Sequence, residues 1–180
     1  MSCQVNSSAP RRKQRTSLVV CVTAALVSYA GRADALPEDA EQSIHIDADS
    51  AQLDENKNLV VYHGSVHMEQ GTMRVTADTM TIELKDQLVV RITAEGDRAH
   101  YQQQLKADES MVYADAKTIV YYTQEERVQL TGNAYLTQNK NEFTGDLIKY
   151  DIREGKVDAQ ASGDGKVQMI LQPATVSKPQ

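Results

Sequence analysis

The side chains of this 180-residue sequence that could do acid–base, nucleophilic or metal chemistry are few, and their spacing does not suit it. Histidine occurs four times, at His45, His63, His67 and His100. His45 alternates with Ile44 and Ile46, which sends it to the solvent side of a strand, and His63 and His67 form no H-x-H ligand pair. Asp47 and Asp49 make an Asp-x-Asp pair, but the glycine and terminal glutamate of a calcium loop do not follow. Gly163, Asp164, Gly165 and Lys166 lack the spacing of a phosphate-binding P-loop and read as a hairpin turn. No G-x-S-x-G elbow is present, and the two cysteines, Cys3 and Cys21, precede everything that reads as a folded domain. The residues point to no catalysis, no metal and no cofactor, which leaves binding rather than an enzyme.

Aspartates of another kind recur. Four short strings, I-D-A-D at 46–49, V-T-A-D at 75–78, V-Y-A-D at 112–115 and F-T-G-D at 143–146, each precede a glycine, at Gly64, Gly96, Gly132 and Gly163. The Asp-to-Gly gaps are 15, 18, 17 and 17 residues and the Gly-to-Gly steps 32, 36 and 31, a repeat of about 30 residues in four copies. Apolar or small residues take common offsets in every copy: Ile46, Ala48, Ala51, Leu53; Val75, Ala77, Met80, Ile82; Val112, Ala114, Lys117, Ile119; Phe143, Gly145, Ile148, Tyr150. Between the second and third members the step is three, not two, which would flip a regular strand over. A β-bulge or bend at each Asp restores the face, its carboxylate accepting nearby backbone N–H groups. After each glycine another alternating strand follows, as with Val66 and Met68 or Ala134 and Leu136.

The elements that must position these residues are strands. Segments 58–62, 72–76, 87–93 and 118–122 are rich in β-branched and aromatic residues, with polar turn clusters between, and no stretch keeps a 3.6-residue apolar period. Two to four short antiparallel strands per unit, four units in all, build either a jelly-roll-like sandwich or an open solenoid. With one Phe and no Trp, and with small residues at several inward offsets, the interior holds either closely packed sheets or room for a guest.

Arg11, Arg12, Lys13 and Arg15 precede an uncharged apolar run over 16–30, and Ala33, Asp34 and Ala35 form an A-x-A site. Residues 1–35 therefore read as a signal peptide cleaved after Ala35, with one domain over 36–172 and a tail over 173–180. Losing five basic residues and one acidic residue with that segment takes the formal net charge from −6 to −10, a surface that does not seek nucleic acid. A mature chain without cysteine uses neither disulfides nor thiols.

The strings IHIDADS at 44–50, HGSV at 63–66 and above all LTGNAYLTQ at 130–138 resemble the OstA-like family of periplasmic lipopolysaccharide transport proteins, over roughly residues 40–171. The resemblance implies an all-β fold, a twisted, partly open antiparallel β-jellyroll, whose apolar groove shields the acyl chains of lipid A during outer-membrane assembly. It implies a periplasmic location and end-to-end stacking into a bridge from an LptC-like inner-membrane subunit to an LptD-like outer-membrane translocon. It also implies that Ile44 and Tyr121 line the groove, with His100 standing where the family has a phenylalanine and Thr123 where it has a leucine. Together with the inward residues Ile46, Val66, Met68, Val75, Met80, Ile82, Ile119, Leu136, Phe143, Ile148 and Tyr150, these form the expected lipid-binding set. Alternative readings are an LptC-like relative that keeps a membrane anchor, a ligand-free β-scaffold, and a periplasmic hydrolase. Terminal strands near residues 43–47 and 166–172 should leave open edges, which favours a head-to-tail homo-oligomer.

Overall fold

The computed structural model describes residue 39, residues 42–105 and residues 111–172. The expected signal peptide with its cleavage at Ala35, and the expected tail over 173–180, lie outside the described residues. Within them the chain forms ten strands and no α-helix. These are β1 (His45–Asp47), β2 (Ser50–Asp54), β3 (Leu59–Gln70), β4 (Met73–Lys85), β5 (Leu88–Gln104), β6 (Met111–Tyr122), β7 (Arg127–Gln138), β8 (Asn141–Asp151), β9 (Lys156–Gln160) and β10 (Gln168–Ile170). All ten belong to one antiparallel sheet in the order β1-β3-β4-β5-β6-β7-β8-β10, with β2 also on β3 and β9 also on β8. From β2 to β9 sequential strands pair, while β1 skips β2 to join β3 and β10 skips β9 to join β8, so the ladder is a meander at its centre and does not close.

Six of these strands run for eleven residues or more, and each pairing between them shifts register near mid-strand, with a second shift between Glu83 and Leu84 in the β4–β5 pair. Register shifts fall between His63 and Val66, Thr76 and Thr79, Glu95 and Ala99, Asp115 and Thr118, and Thr131 and Ala134. Adjacent in neighbouring strands, they form one crease across the sheet. Since a bulge bends its strand and sharpens the twist, a line of bulges folds one sheet into two facing layers. The first layer holds β2, residues 59–63, 79–85, 88–95, 118–122, 127–131 and 147–151, and β9. The second holds β1, residues 66–70, 73–76, 99–104, 111–115, 134–138 and 141–145, and β10.

The repeated Asp and Gly make that crease. Gly64 has a φ of +80° and the next residue, Ser65, one of +46°, a left-handed pair that reverses the side-chain alternation. The Asp49 carboxylate stands where a Gly64 Cβ would be, and the Asp49 N–H donates to the Gly64 carbonyl at 3.0 Å. Asp78 repeats the arrangement: a Cβ on Gly96 would meet its carboxylate oxygen at 2.9 Å, and that oxygen accepts the Asp97 N–H at 3.1 Å. Asp146 accepts the Ser162 N–H at 2.6 Å, beside Gly163. The third copy differs. Asp115 takes Arg98 at 2.8 Å and the His100 Nδ1, while the stem of Lys117 lies against Gly132.

The inward faces form continuous cross-strand rows. In the first layer Leu53, Val60, Ile82, Ile92, Tyr121, Val128, Tyr150 and Val157 are successive partners. In the second the row runs Ile46, Met68, Val75, Tyr101, Ala114, Leu136, Phe143 and Met169. Members of both rows join a single buried cluster, with Met68, Met80, Leu130, Leu136, Ile148 and Tyr150 fully enclosed. Three residues expected to face the interior are exposed. Lys117 is exposed because the bulge at Ala116 and Lys117 turns Ala116 inward in its place. Ala51 and Leu53 are exposed although they hold the right parity, because β2 is an edge with no strand beyond it.

Candidate functional site: the mouth between the two layers

Opposite the crease the layers part, and their turns form two lips. On the first lip the hairpin at Asp86 and Gln87 has φ values of +51° and +66°, the primed two-residue geometry that matches strand twist. On the second lip Asn139 and Lys140, at +51° and +67°, do the same. Between the lips lies a cleft of about 370 Å³ lined by Gln42, Ile44, Gln70, Gln87, Leu88, Val89, Tyr121, Thr123 and Gln124. Its lining combines the apolar Ile44, Leu88, Val89 and Tyr121 with four glutamine carboxamides and the Thr123 hydroxyl, and none of its lining residues is charged.

The structure brings Ile44, Tyr121 and Thr123 together in that cleft, although 79 residues separate the first from the last. Thr123 is fixed by its hydroxyl, which donates to the Val89 carbonyl at 2.6 Å. Ile46, Val66, Met68, Val75, Met80, Ile82, Ile119, Leu136, Phe143, Ile148 and Tyr150 all face inward behind the cleft, in the shared apolar cluster. His100 does not join them. The register shift between Glu95 and Ala99 sets Ala99 and Tyr101 inward, so His100 faces the outside of the second layer against Asp115. There it borders an open polar shelf with His67, Arg74, Thr76, Gln102 and Tyr113.

Tyrosines carry the polarity of the mouth. The Tyr101 hydroxyl donates to the Gln103 Oε1, and the Gln138 amide donates to the Tyr150 hydroxyl at 3.0 Å, joining one layer to the other. Burial pushes the Tyr121 and Tyr150 phenols up to about 12 and the Tyr101 phenol well above its ordinary value, so all three stay neutral under any physiological condition. Sequence reasoning missed Tyr101, Gln70, Gln103 and Asp39. Tyr101 and Gln103 could have been found from the alternation Ala99, Tyr101, Gln103, once the bulge was placed at Gly96 and not carried past it. Asp39 left no signal, since its partners lie 33 and 64 positions away. Among the described residues no group of three or more His, Cys, Asp or Glu could hold a metal, and no helix is long and apolar enough to cross a membrane.

An uncharged cleft that leads to the apolar interior of an unclosed β-jellyroll defines a carrier-type β-protein. The family model for LptA/(LptD N-terminal domain) LPS transport proteins matches residues 45–156, and the chain belongs to that family. Among curated relatives, the lipopolysaccharide export system protein LptH of Pseudomonas aeruginosa is 35% identical over 164 residues, covering 87% of this chain and 93% of that protein. The lipopolysaccharide export system protein LptA of Escherichia coli K12 is 30% identical over 165 residues, covering 91% of this chain and 89% of that protein. The crystal structure of LptH, the LptA-homologous periplasmic component of the lipopolysaccharide transport device of P. aeruginosa, superposes with a TM-score of 0.70 at 33% identity, over 76% of this chain and 100% of that one.

Proposed function

We propose that this protein is a periplasmic carrier of lipopolysaccharide, taking acyl chains of lipid A through the mouth and holding them between the two layers. The observation that carries the reading is the pair of apolar rows that run without interruption from one end of the sheet to the other, open to solvent through the cleft at Ile44, Tyr121 and Thr123. Each methylene withdrawn from water contributes about 0.8 kcal/mol, so part of one chain in the cleft anchors the lipid. Deeper entry requires the layers to part, because Met80, Leu130 and Ile148 leave no room in the enclosed state. Weak, repeated holding suits a carrier that must also release.

The rows run out of the sheet at both ends. Leu53 on β2 and Met169 on β10 are 58% and 52% exposed, with Ile170 and Leu171 beside the latter. Docking the C-terminal edge of one copy on the N-terminal edge of the next covers them and continues the groove; because the two edges differ, the contact does not close. The same edges suit an LptC-like subunit at the inner membrane and an LptD-like translocon at the outer one. Signal cleavage after Ala35 would release the carrier into the periplasm.

The enclosed interior itself favours a second reading, a β-scaffold without a ligand. Extraction of the protein purified from its native envelope, followed by mass spectrometry of the extract, separates the two. Co-purifying lipid A in near-stoichiometric amount is the expected result, and a lipid-free protein that also fails to take up lipid A in solution would sink the carrier reading. The intact mass of the same sample reports the N-terminus, where an unprocessed chain would favour an anchored relative.

A further inference from the structure

We infer that the outer side of the first lip is a seat for the phosphate of the lipid headgroup, held by Arg91 and Arg127 on either side of Tyr122 while the acyl chains occupy the mouth behind it. The assignment rests on the lipid-carrier reading of the cleft. The mouth itself offers an anion no cation, since no residue that lines it is charged. A chain of formal net charge −6 repels a phosphate unless positive side chains are gathered locally.

They are gathered just over the lip. Glu83, Arg91, Tyr122 and Arg127 are successive cross-strand partners on the outside of the first layer. A recess of about 240 Å³ lies there, lined by Glu83, Val90, Arg91, Tyr122, Gln124 and Glu125. Arg127 borders it, with its guanidinium carbon 4.5 Å from the centre of the Tyr122 ring. Two stretches of chain serve both sites. At the end of β6 Tyr121 and Thr123 line the mouth, Tyr122 lines the recess, and Gln124 lines both. On β5 the register shift between Glu83 and Leu84 skips Val90, so Val89 lines the mouth while Val90 and Arg91 line the recess. From apolar wall to guanidinium is thus two residues along one strand, about 7 Å, a step that one amphiphile can bridge.

The two arginines are held but not saturated. Arg91 gives its Nε, at 2.8 Å, and its Nη2 to one and the same oxygen of Glu83, and Arg127 gives its Nη2 to Glu125 at 2.7 Å. The Arg127 Nε is the one buried side-chain nitrogen or oxygen among the described residues without a hydrogen-bond partner. Both side chains stay reachable, 43% and 34% exposed. A guanidinium presents five N–H donors in a planar fork that matches phosphate, so each keeps donors for a second acceptor. The carboxylates orient the arginines in the empty protein. Glu125 is more than half exposed and gives way to a phosphate at little cost, because exposed ion pairs are weak, while stacking on Tyr122 keeps Arg127 in place during the exchange.

The test compares two probes on the exported protein, fluorescently labelled lipid A carrying its phosphates and the same lipid A stripped of them. Wild type should bind the phosphorylated form on the order of ten-fold more tightly. The double variant Arg91→Gln, Arg127→Gln should lose that preference and bind both forms as wild type binds the stripped one, with an unchanged β-sheet circular dichroism spectrum. Equal affinity of wild type for the two lipids, or a preference that survives in the double variant, would overturn the phosphate seat and leave the carrier intact. Absence of binding of either lipid by wild type would overturn the carrier reading and the seat with it. Inorganic phosphate titrated alone should not bind, and saturable binding of it that the double variant abolishes would assign the recess to a free anion instead of a headgroup. Should the double variant fail to fold, Arg91→Gln alone decides, and an undiminished preference there would overturn the seat.

Discussion

Leu130 and Leu53 occupy equivalent places. Both face inward in the first layer, and both have apolar cross-strand partners, Ile119 and Ile148 for one and Val60 for the other. Leu130 is 0% exposed and Leu53 58%. The difference is not in the residue or its parity but in the neighbours: β7 has strands on both sides and a layer above, whereas β2 ends the stack. The middle of the molecule is a finished core. Its ends are the same core cut open, and an unclosed sheet leaves its specificity there.

Substitutions sharpen that contrast. The largest effect should come from Leu130→Ala, which leaves a cavity and costs roughly 2–5 kcal/mol in urea unfolding, against within about 0.5 kcal/mol for Leu53→Ala. Equal losses at the two sites would mean that the end is covered within one copy. Next, a carboxylate at Tyr121→Asp or Ile46→Asp should lower lipid A affinity at least about ten-fold, because desolvating it is costly. Circular dichroism checks that the sheet persists, and a folded Tyr121→Asp protein that binds as well as wild type would move the groove elsewhere.

Truncation after Gly165 removes β10, whose three residues are all exposed. Concentration-dependent oligomers should disappear in sedimentation velocity, with little change in Tm. Undiminished oligomers would show that the C-terminal edge is not the docking surface. Alkaline titration then probes the middle. The Tyr121 and Tyr150 phenols are raised from 10 to about 12, so the neutral forms are favoured by folding. The stability they contribute is complete below pH 10 and is lost as pH rises toward 12, which tyrosinate absorbance and unfolding followed together should reveal. The smallest effect belongs to the outer face, where Asp115→Ala breaks only exposed pairs with Arg98 and His100 and should cost less than about 1 kcal/mol.

Much of this was legible beforehand. The Asp-to-Gly repeat marks the bulges, because a residue that must be skipped in the ladder leaves a step of three in the apolar pattern, at Ala77 and Met80 as at Gly145 and Ile148. Likeness at 44–50 and 130–138 pointed to the family that the 45–156 match establishes. The failures are also instructive. His100 was carried into the groove by resemblance and Lys117 by a common offset, and both fell on the wrong face for one reason: each lies within a few residues of a bulge, where parity depends on how many residues the partner strand skips.

What the chain determined alone was whatever resides in consecutive residues: strands with period two, a turn around Asn139, bends at the aspartates, and four copies of one unit. What only the tertiary structure decided was whatever needs a second segment. Leu53 is exposed because no strand follows it, Ile44 meets Thr123 because a crease folds one sheet upon itself, and Asp39 finds Gln103 because Gly71 leaves it space. Alternation is a property of one backbone and can be read along it, whereas burial is a property of neighbours, which the backbone acquires only when it folds.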